Sequence, residues 1–157
     1  MELDGARVLV TGASSGIGAA TARQLAERGA TVAIVARRAE RLAEGLAPRR
    51  QHAPESRSFV ADLSDPSGAA TLARRAWYEL GHLDAVVNNA AIPMRRPVTD
   101  LTPEVIEQVM TVNFHPPVAI CLAVLPAMLE RDTGTVVNVA SVGGRFGIVH
   151  EAAYCAS

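Results

Sequence analysis

The sequence has 157 residues, of which 49% are hydrophobic, 20% charged and 4% aromatic, a composition that suits one globular domain with a substantial core. Its formal net charge of −1 does not favour nucleic acid or an anionic membrane as a partner. The two cysteines, Cys121 and Cys155, form no metal or redox motif, and the first residues form no signal segment. We therefore expect a cytoplasmic protein without a metal site or membrane partner.

Short apolar runs rich in β-branched residues alternate with longer helical segments. Runs that are apolar on both faces favour strands covered on both sides, as in a parallel sheet, and the alternation indicates βαβ units. Right-handed crossovers then predict one α/β domain over 1–157, a doubly wound, Rossmann-like parallel sheet of strand order 3-2-1-4-5. The predicted strands are residues 8–10, 32–35, 59–60, 85–87 and 135–137.

The segments between these runs carry signals for helix ends. The first helix is predicted to open near Gly16 and to stop at Gly29. Asp65 and Thr102 are predicted N-caps, because each precedes a proline that suits the first helical position. Residues 46–57 are polar and contain proline, so we predict a loop that leads to the third strand.

The fourth helix is predicted to run to about Arg131 with a kink just after Asn113. Pro116 and Pro117 cause this kink, because proline removes a backbone donor and clashes with the preceding turn. The fifth strand would then lie at an edge of the sheet. A bare apolar edge invites pairing with other chains, so we expect a fold that lacks the last strands and helices covering that edge.

A glycine-rich segment, Thr-Gly-Ala-Ser-Ser-Gly-Ile-Gly, lies between the first strand and the first helix. Glycine permits a tight turn and lets the backbone approach a pyrophosphate, whose charge favours a helix N-terminus. A turn without a ligand is the alternative, and the strand–turn–helix context disfavours it. The predicted cofactor contacts in this turn are Gly12, Ser14, Ser15, Gly16, Ile17 and Gly18.

The spacing Gly-x-x-x-Gly-x-Gly resembles the cofactor signature of the short-chain dehydrogenase/reductase family, and further matches follow in the family's order along the whole chain. After the third strand come Asp62 and Leu63. The resemblance implies that Asp62 accepts a hydrogen bond from the adenine amino group, although it could equally cap the next turn. After the fourth strand, Asn88-Asn89-Ala90-Ala91 resembles the family's Asn-Asn-Ala-Gly motif, which implies that Asn89 and Ala90 line the cofactor groove.

The end of the second strand bears on the choice between NAD and NADP. An acidic residue there would bind the adenosine ribose hydroxyls, whereas this chain has Arg37 and Arg38. Guanidinium groups form bidentate, charge-assisted hydrogen bonds with phosphate. The resemblance implies that Arg37 is the main contact to the 2′-phosphate and that Arg38 and Ser14 assist. A solvated arginine pair is the alternative, and we favour NADP over NAD.

The predicted catalytic residues are Asn113, Ser141 and Tyr154, and Tyr154 follows Ser141 by 13 positions. Carbonyl reduction needs a proton donor and a group that binds the carbonyl oxygen. The resemblance implies that Ser141 binds this oxygen, that Tyr154 is the general acid/base, and that Asn113 helps to hold a proton-relay water. The expected protein is an oxidoreductase that transfers a hydride between NADP(H) and a small carbonyl or alcohol substrate, and a homo-oligomer when full length.

One part of the family pattern falls outside the sequence. The family motif is Tyr-x-x-x-Lys, whose lysine would occupy position 158, and none of the 157 residues is lysine. The alternative interpretation is therefore a non-catalytic dinucleotide-binding fragment or module that lacks the catalytic lysine. A nucleotide-sugar epimerase relative is disfavoured, because its glycine-rich turn is usually spaced differently.

Overall fold

Five parallel strands with helices on both faces make up the computed structural model, which describes residues 2–157. The strands are β1 (Arg7–Thr11), β2 (Thr31–Ala36), β3 (Arg57–Val60), β4 (Ala85–Asn88) and β5 (Thr135–Asn138). The helices are α1 (Gly16–Glu27), α2 (Ala39–His52), α3 (Pro66–Leu80), α4 (Pro103–Asn113), α5 (His115–Glu130) and α6 (Ala152–Cys155). The strand order is β3-β2-β1-β4-β5, which confirms the predicted doubly wound sheet.

Alternate residues of the central strands feed two separate cores. Val8 and Val10 of β1 pack on the side of α1 and α2. Leu9, between them in sequence, packs on the side of α3 and α5. This burial on both faces explains why the strands are continuous apolar runs in the sequence. β5 lies at the edge of the sheet and is mostly exposed, as predicted.

Most of the predicted helix ends are confirmed. α1 opens at Gly16, and its C-terminal turn closes at Gly29, whose φ of 86° is the left-handed conformation that glycine adopts readily. Asp65 caps α3 by accepting a hydrogen bond from the main-chain N–H of Ser67. Thr102 caps α4 in the same way.

The prediction of a loop over residues 46–57 is wrong for residues 46–52, because α2 continues to His52; the loop to β3 is confined to residues 53–56. Leu42, Leu46 and Arg49 lie on one face of α2 and are buried. Arg49 donates hydrogen bonds to the carbonyl oxygens of Ala19 (2.7 Å) and Gly45. Pro48 removes only one backbone donor from α2. The long-range contact of Arg49 with α1 stabilises the helix around this proline.

The predicted break after Asn113 is confirmed, although it separates two helices and does not merely bend one. α4 ends at Asn113 and α5 begins at His115. In a continuous helix the carbonyl of Asn113 would accept from the N–H of residue 117. Pro117 has no N–H, and Pro116 offers none for a tighter turn. The two prolines therefore leave the main-chain carbonyl of Asn113 without a helical donor.

The pair α4–α5 has an exposed apolar surface. The segment Pro103–Glu130 contains an 18-residue window with a mean hydropathy of 1.6, long and apolar enough to cross a membrane, and 22% of that window is buried. Length and composition also admit a helix that packs against protein. Val118, Leu122, Leu125 and Leu129 are exposed and lie three or four positions apart along α5. We call these four residues the α5 stripe.

Candidate active site

Two glycines allow the turn after β1 to pack directly against the end of β4. Gly12 has a φ of 66°, and a Cβ atom there would lie 2.8 Å from the Cα of Ala90. A Cβ at Gly18 would lie 2.6 Å from the carbonyl oxygen of Gly12 and would also meet the side-chain amide of Asn89. Neither position can therefore hold a side chain without displacing the backbone. The backbone of this turn and the N-terminus of α1 remain open to an anion.

Thr11, at the end of β1, holds the glycine turn and the β4 end together. Its Oγ1 accepts hydrogen bonds from the main-chain N–H groups of Asn89 (2.9 Å) and Ala90 (3.1 Å). In return, the side-chain amide of Asn89 donates to the carbonyl oxygens of Thr11 (3.0 Å) and Gly12 (3.4 Å). Thr11 is not among the predicted site residues, and the sequence signal for it is its hydroxyl side chain directly before the glycine turn.

A cavity of about 680 Å³ lies beside this turn, at the carboxyl ends of the strands. In an open α/β sheet this edge is where ligands bind. Of the predicted cofactor residues, Gly16, Ile17 and Gly18 do not line the cavity. Gly16 opens α1, Ile17 is exposed and Gly18 supports the turn from behind. The predicted residues that line it are Gly12, Ser14, Ser15, Arg37, Arg38, Asp62, Leu63, Asn89 and Ala90.

The two arginines take different positions in this cavity. The Nη2 atom of Arg38 donates to the hydroxyl oxygens of Ser14 (3.0 Å) and Ser15 (3.3 Å). Arg37 lines the cavity on the side of Asp62. Arg38, which was predicted to assist Arg37, is thus the arginine that is hydrogen-bonded to the glycine turn.

Asp62 caps the turn that follows β3. Its Oδ1 accepts a hydrogen bond from the main-chain N–H of Ser64 (3.0 Å). Hydrogen bonds from Ser64, and then the positive charge of Arg37, lower the pKa of the Asp62 carboxyl below its usual value. The carboxylate also lines the cavity, so capping the turn and facing an adenine are compatible.

A second cavity, of about 460 Å³, brings the three predicted catalytic residues together. Asn113, Ser141 and Tyr154 all line it, between α4–α5 and the carboxyl ends of β4 and β5. It shares Ala90 and Ala91 with the first cavity. The predicted cofactor groove and the predicted catalytic groups are therefore neighbours across the end of β4.

The side chain of Asn113 ties the loop after β4 to the helix break. Its Oδ1 accepts from the main-chain N–H of Ile92 (2.8 Å), and its Nδ2 donates to the carbonyl of Ile92 (3.0 Å) and the hydroxyl of Ser157 (2.9 Å). The side chain of Asn113 is thus engaged by Ile92 and Ser157, and its main-chain carbonyl is the group without a helical partner. That carbonyl lacks a helical donor because of Pro117.

Ser141 lies shortly after the end of β5, and its Oγ accepts a hydrogen bond from the main-chain N–H of Gly143 (3.1 Å). A hydroxyl that accepts in this way keeps its own proton to donate to another group. Asn88 and Asn138, which are not among the predicted site residues, lie nearby, and their side chains are joined by a hydrogen bond of 2.9 Å. The Oδ1 of Asn88 is buried and has no hydrogen-bond partner among residues 2–157.

Residues 6–157 match the sequence model of the short chain dehydrogenase family. The chain belongs to the short-chain dehydrogenase family. This is a family of oxidoreductases that bind NAD(P), and the predicted membership is confirmed. In the part of this short-chain dehydrogenase that the structure describes, no group of three or more His, Cys, Asp or Glu side chains could hold a metal ion.

Three similar proteins illustrate the match. Dehydrogenase/reductase SDR family member 7B from Bos taurus is 38% identical, with 96% of this chain and 48% of that protein aligned. A metagenomic short-chain oxidoreductase in complex with NADP is 33% identical, with a TM-score of 0.92 over 99% of this chain and 71% of its own. An NAD⁺-bound xylitol dehydrogenase is 32% identical, with a TM-score of 0.90 over 98% and 60%. The chain spans about half the length of the curated relatives it matches.

Proposed function

We propose that this short-chain dehydrogenase transfers a hydride between NADP(H) and a small carbonyl or alcohol substrate. The observation that carries the proposal is the adjacency of the two cavities, one with a glycine turn and two guanidinium groups, the other with Ser141 and Tyr154. One similar structure is an NADP complex and another is NAD⁺-bound, so the overall fold does not select the cofactor. Arg37 and Arg38 are the groups that support NADP.

The residues of the second cavity have distinct parts in the proposed reaction. The bound cofactor supplies or accepts the hydride. The Ser141 hydroxyl donates a hydrogen bond to the substrate oxygen, where negative charge develops during reduction. Tyr154 donates the proton to that oxygen. The main-chain carbonyl of Asn113 holds a water that relays a proton back to Tyr154 after this transfer.

Calorimetric titration of the chain with NADPH and NADH tests the cofactor part of this proposal. We expect NADPH to bind at least about tenfold more tightly, because its additional phosphate gains charge-assisted hydrogen bonds. Equal affinities would contradict NADP preference, and no binding of either nucleotide would contradict the dinucleotide site itself.

The alternative, a non-catalytic binding module, shares the nucleotide affinity but not the turnover. The full-length reading frame distinguishes the two, since a lysine at position 158 completes the family motif. If that protein oxidises NADPH with a panel of aldehydes and ketones, Tyr154→Phe should abolish turnover and keep NADPH affinity within about twofold. Turnover that survives in this variant would rule out Tyr154 as the proton donor.

We also propose that a second copy of the chain covers the α5 stripe, and that the protein is cytoplasmic. The stripe consists of aliphatic side chains on the side of α5 opposite the buried Ile120 and Val124. Contiguous exposed apolar surface of this kind is typical of protein interfaces.

Leu122→Glu together with Leu129→Glu should convert the proposed oligomer to a monomer, because burying two carboxylates in the interface costs the free energy of their hydration. Light scattering coupled to gel filtration measures the mass directly. Tyr78→Glu is the matched control, since Tyr78 is also exposed but lies on α3. A wild-type protein that is monomeric throughout the micromolar range would contradict the proposed interface.

A further inference from the structure

Four ionisable side chains meet at the amino end of the sheet, on the side opposite the two cavities. His82 lies between α3 and β4, with Arg7 at the start of β1, Asp84 just before β4 and Arg131 just after α5. We call these four residues the amino-end cluster. The His82 and Asp84 side chains are 27% and 20% exposed, so water only partly screens their charges. The proposed oxidoreductase mechanism does not use this cluster.

The contacts of His82 require a neutral imidazole. Its Nδ1 lies 2.5 Å from Nη1 of Arg7, and its Nε2 lies 3.2 Å from Oδ1 of Asp84. A guanidinium group only donates hydrogen bonds and keeps its proton in proteins. Nδ1 must therefore accept from Arg7, which leaves the ring proton on Nε2, where it is donated to Asp84.

Asp84 connects this imidazole to three strands. Its Oδ2 accepts from the main-chain N–H of Arg7 (2.9 Å), and its own N–H donates to the carbonyl of Arg7 (2.8 Å). Its carbonyl accepts from the N–H of Thr135, the first residue of β5 (2.9 Å). Arg131 adds a contact from its Nη2 to Oδ1 of Asp84 (3.3 Å). The segment before β4 thus joins the starts of β1 and β5.

A second proton on His82 is incompatible with this arrangement. An Nδ1–H would point at the guanidinium donor of Arg7, and the cations of His82 and Arg131 would both contact Oδ1 of Asp84. Burial lowers the pKa of His82, the Asp84 carboxylate opposes that effect, and the charges of Arg131 and Arg7 lower the pKa further. These are the charged groups that face His82 from β1, from the segment before β4 and from the end of α5.

We propose that the amino-end cluster is an acid-sensitive clasp, in which protonation of His82 breaks its contact with Arg7 and loosens the starts of β1, β4 and β5. The clasp takes no part in the proposed hydride transfer, because it lies at the opposite end of the strands from the two cavities. The direction of the expected change in stability with pH follows from proton linkage. A histidine whose pKa is lower in the folded state stabilises the fold above its unfolded pKa, about 6.5, and that contribution is lost as pH falls below this value.

Urea unfolding of the full 157-residue chain at constant ionic strength between pH 8 and pH 5 tests the clasp. We expect the unfolding equilibrium constant of the wild type to rise on acidification by about tenfold more than that of His82→Asn, which stays neutral. His150→Asn is the control, because His150 is exposed and has a φ of 67°, a conformation that asparagine tolerates. It should follow the wild type. Parallel curves for the wild type and His82→Asn would overturn the clasp.

Proton NMR of the wild type gives a test that does not depend on whether His82→Asn folds. The His82 imidazole signal is identified by elimination with His52→Asn, His115→Asn and His150→Asn. It should titrate below pH 6.5. The protection of the Asp84 and Thr135 amides against hydrogen exchange, relative to the intrinsic exchange rate at each pH, should decrease as the pH falls through the same range. Titration of His82 at or above pH 6.5 would overturn the proposal.

Discussion

Gly18→Ala is expected to abolish dinucleotide binding and to lower the free energy of unfolding by about 1–3 kcal/mol. The added methyl group would lie 2.6 Å from the carbonyl oxygen of Gly12 and would also meet the Asn89 amide. Backbone at that distance cannot rotate away as a flexible side chain can, so the turn must move. Alanine gains about 1 kcal/mol in helix propensity over glycine, which is too little to offset this overpacking. Urea unfolding measures the stability and calorimetry the NADPH affinity.

The matched control for this change is Gly147→Ala. A Cβ at Gly147 meets nothing within 4 Å, and its φ is not in the left-handed region. It should leave both the stability and the NADPH affinity close to wild type. If Gly18→Ala bound NADPH as tightly as Gly147→Ala, the glycine turn would not be the diphosphate site.

Removing the guanidinium groups at the end of β2 should have the second large effect. We expect Arg38→Gln to weaken NADPH binding by about 10- to 100-fold, which corresponds to the roughly 1.5–3 kcal/mol of one hydrogen bond to a charged group. NADH affinity should be unchanged, because NADH lacks the 2′-phosphate. Arg37→Asp should go further and reverse the preference, because a carboxylate there repels the phosphate and binds ribose hydroxyls. Competition titrations with both nucleotides measure the ratio.

Arg41→Gln is the control for this pair. Arg41 follows the pair by three positions, on α2, and forms an exposed salt bridge with Glu44. Its loss removes one positive charge from the same region, so it measures the contribution of the general field. An equal loss of NADPH affinity in Arg41→Gln and Arg38→Gln would mean that no specific phosphate contact exists at the end of β2.

The elements that the sequence predicts well are those with local causes. The five strands follow from short apolar runs, and the breaks at Gly29 and Asn113 follow from backbone properties of glycine and proline. The local signals of residues 46–52, polarity and Pro48, favour a loop, although these residues are helical. The contact that keeps them helical is the hydrogen bond from Arg49 to Ala19, thirty positions earlier in the chain.

The sequence by itself determined the fold class and the glycine turn, because apolar runs that alternate with helical segments predict βαβ units and because glycine permits the tight turn. The candidate site residues followed from the family resemblance. Only the tertiary structure decided which of these groups touch. It placed Arg38 on Ser14, Thr11 under the β4 loop and the cation-rich cluster around His82. Such contacts require side chains from separate strands and helices to come within hydrogen-bonding distance. They therefore form only once the sheet has assembled.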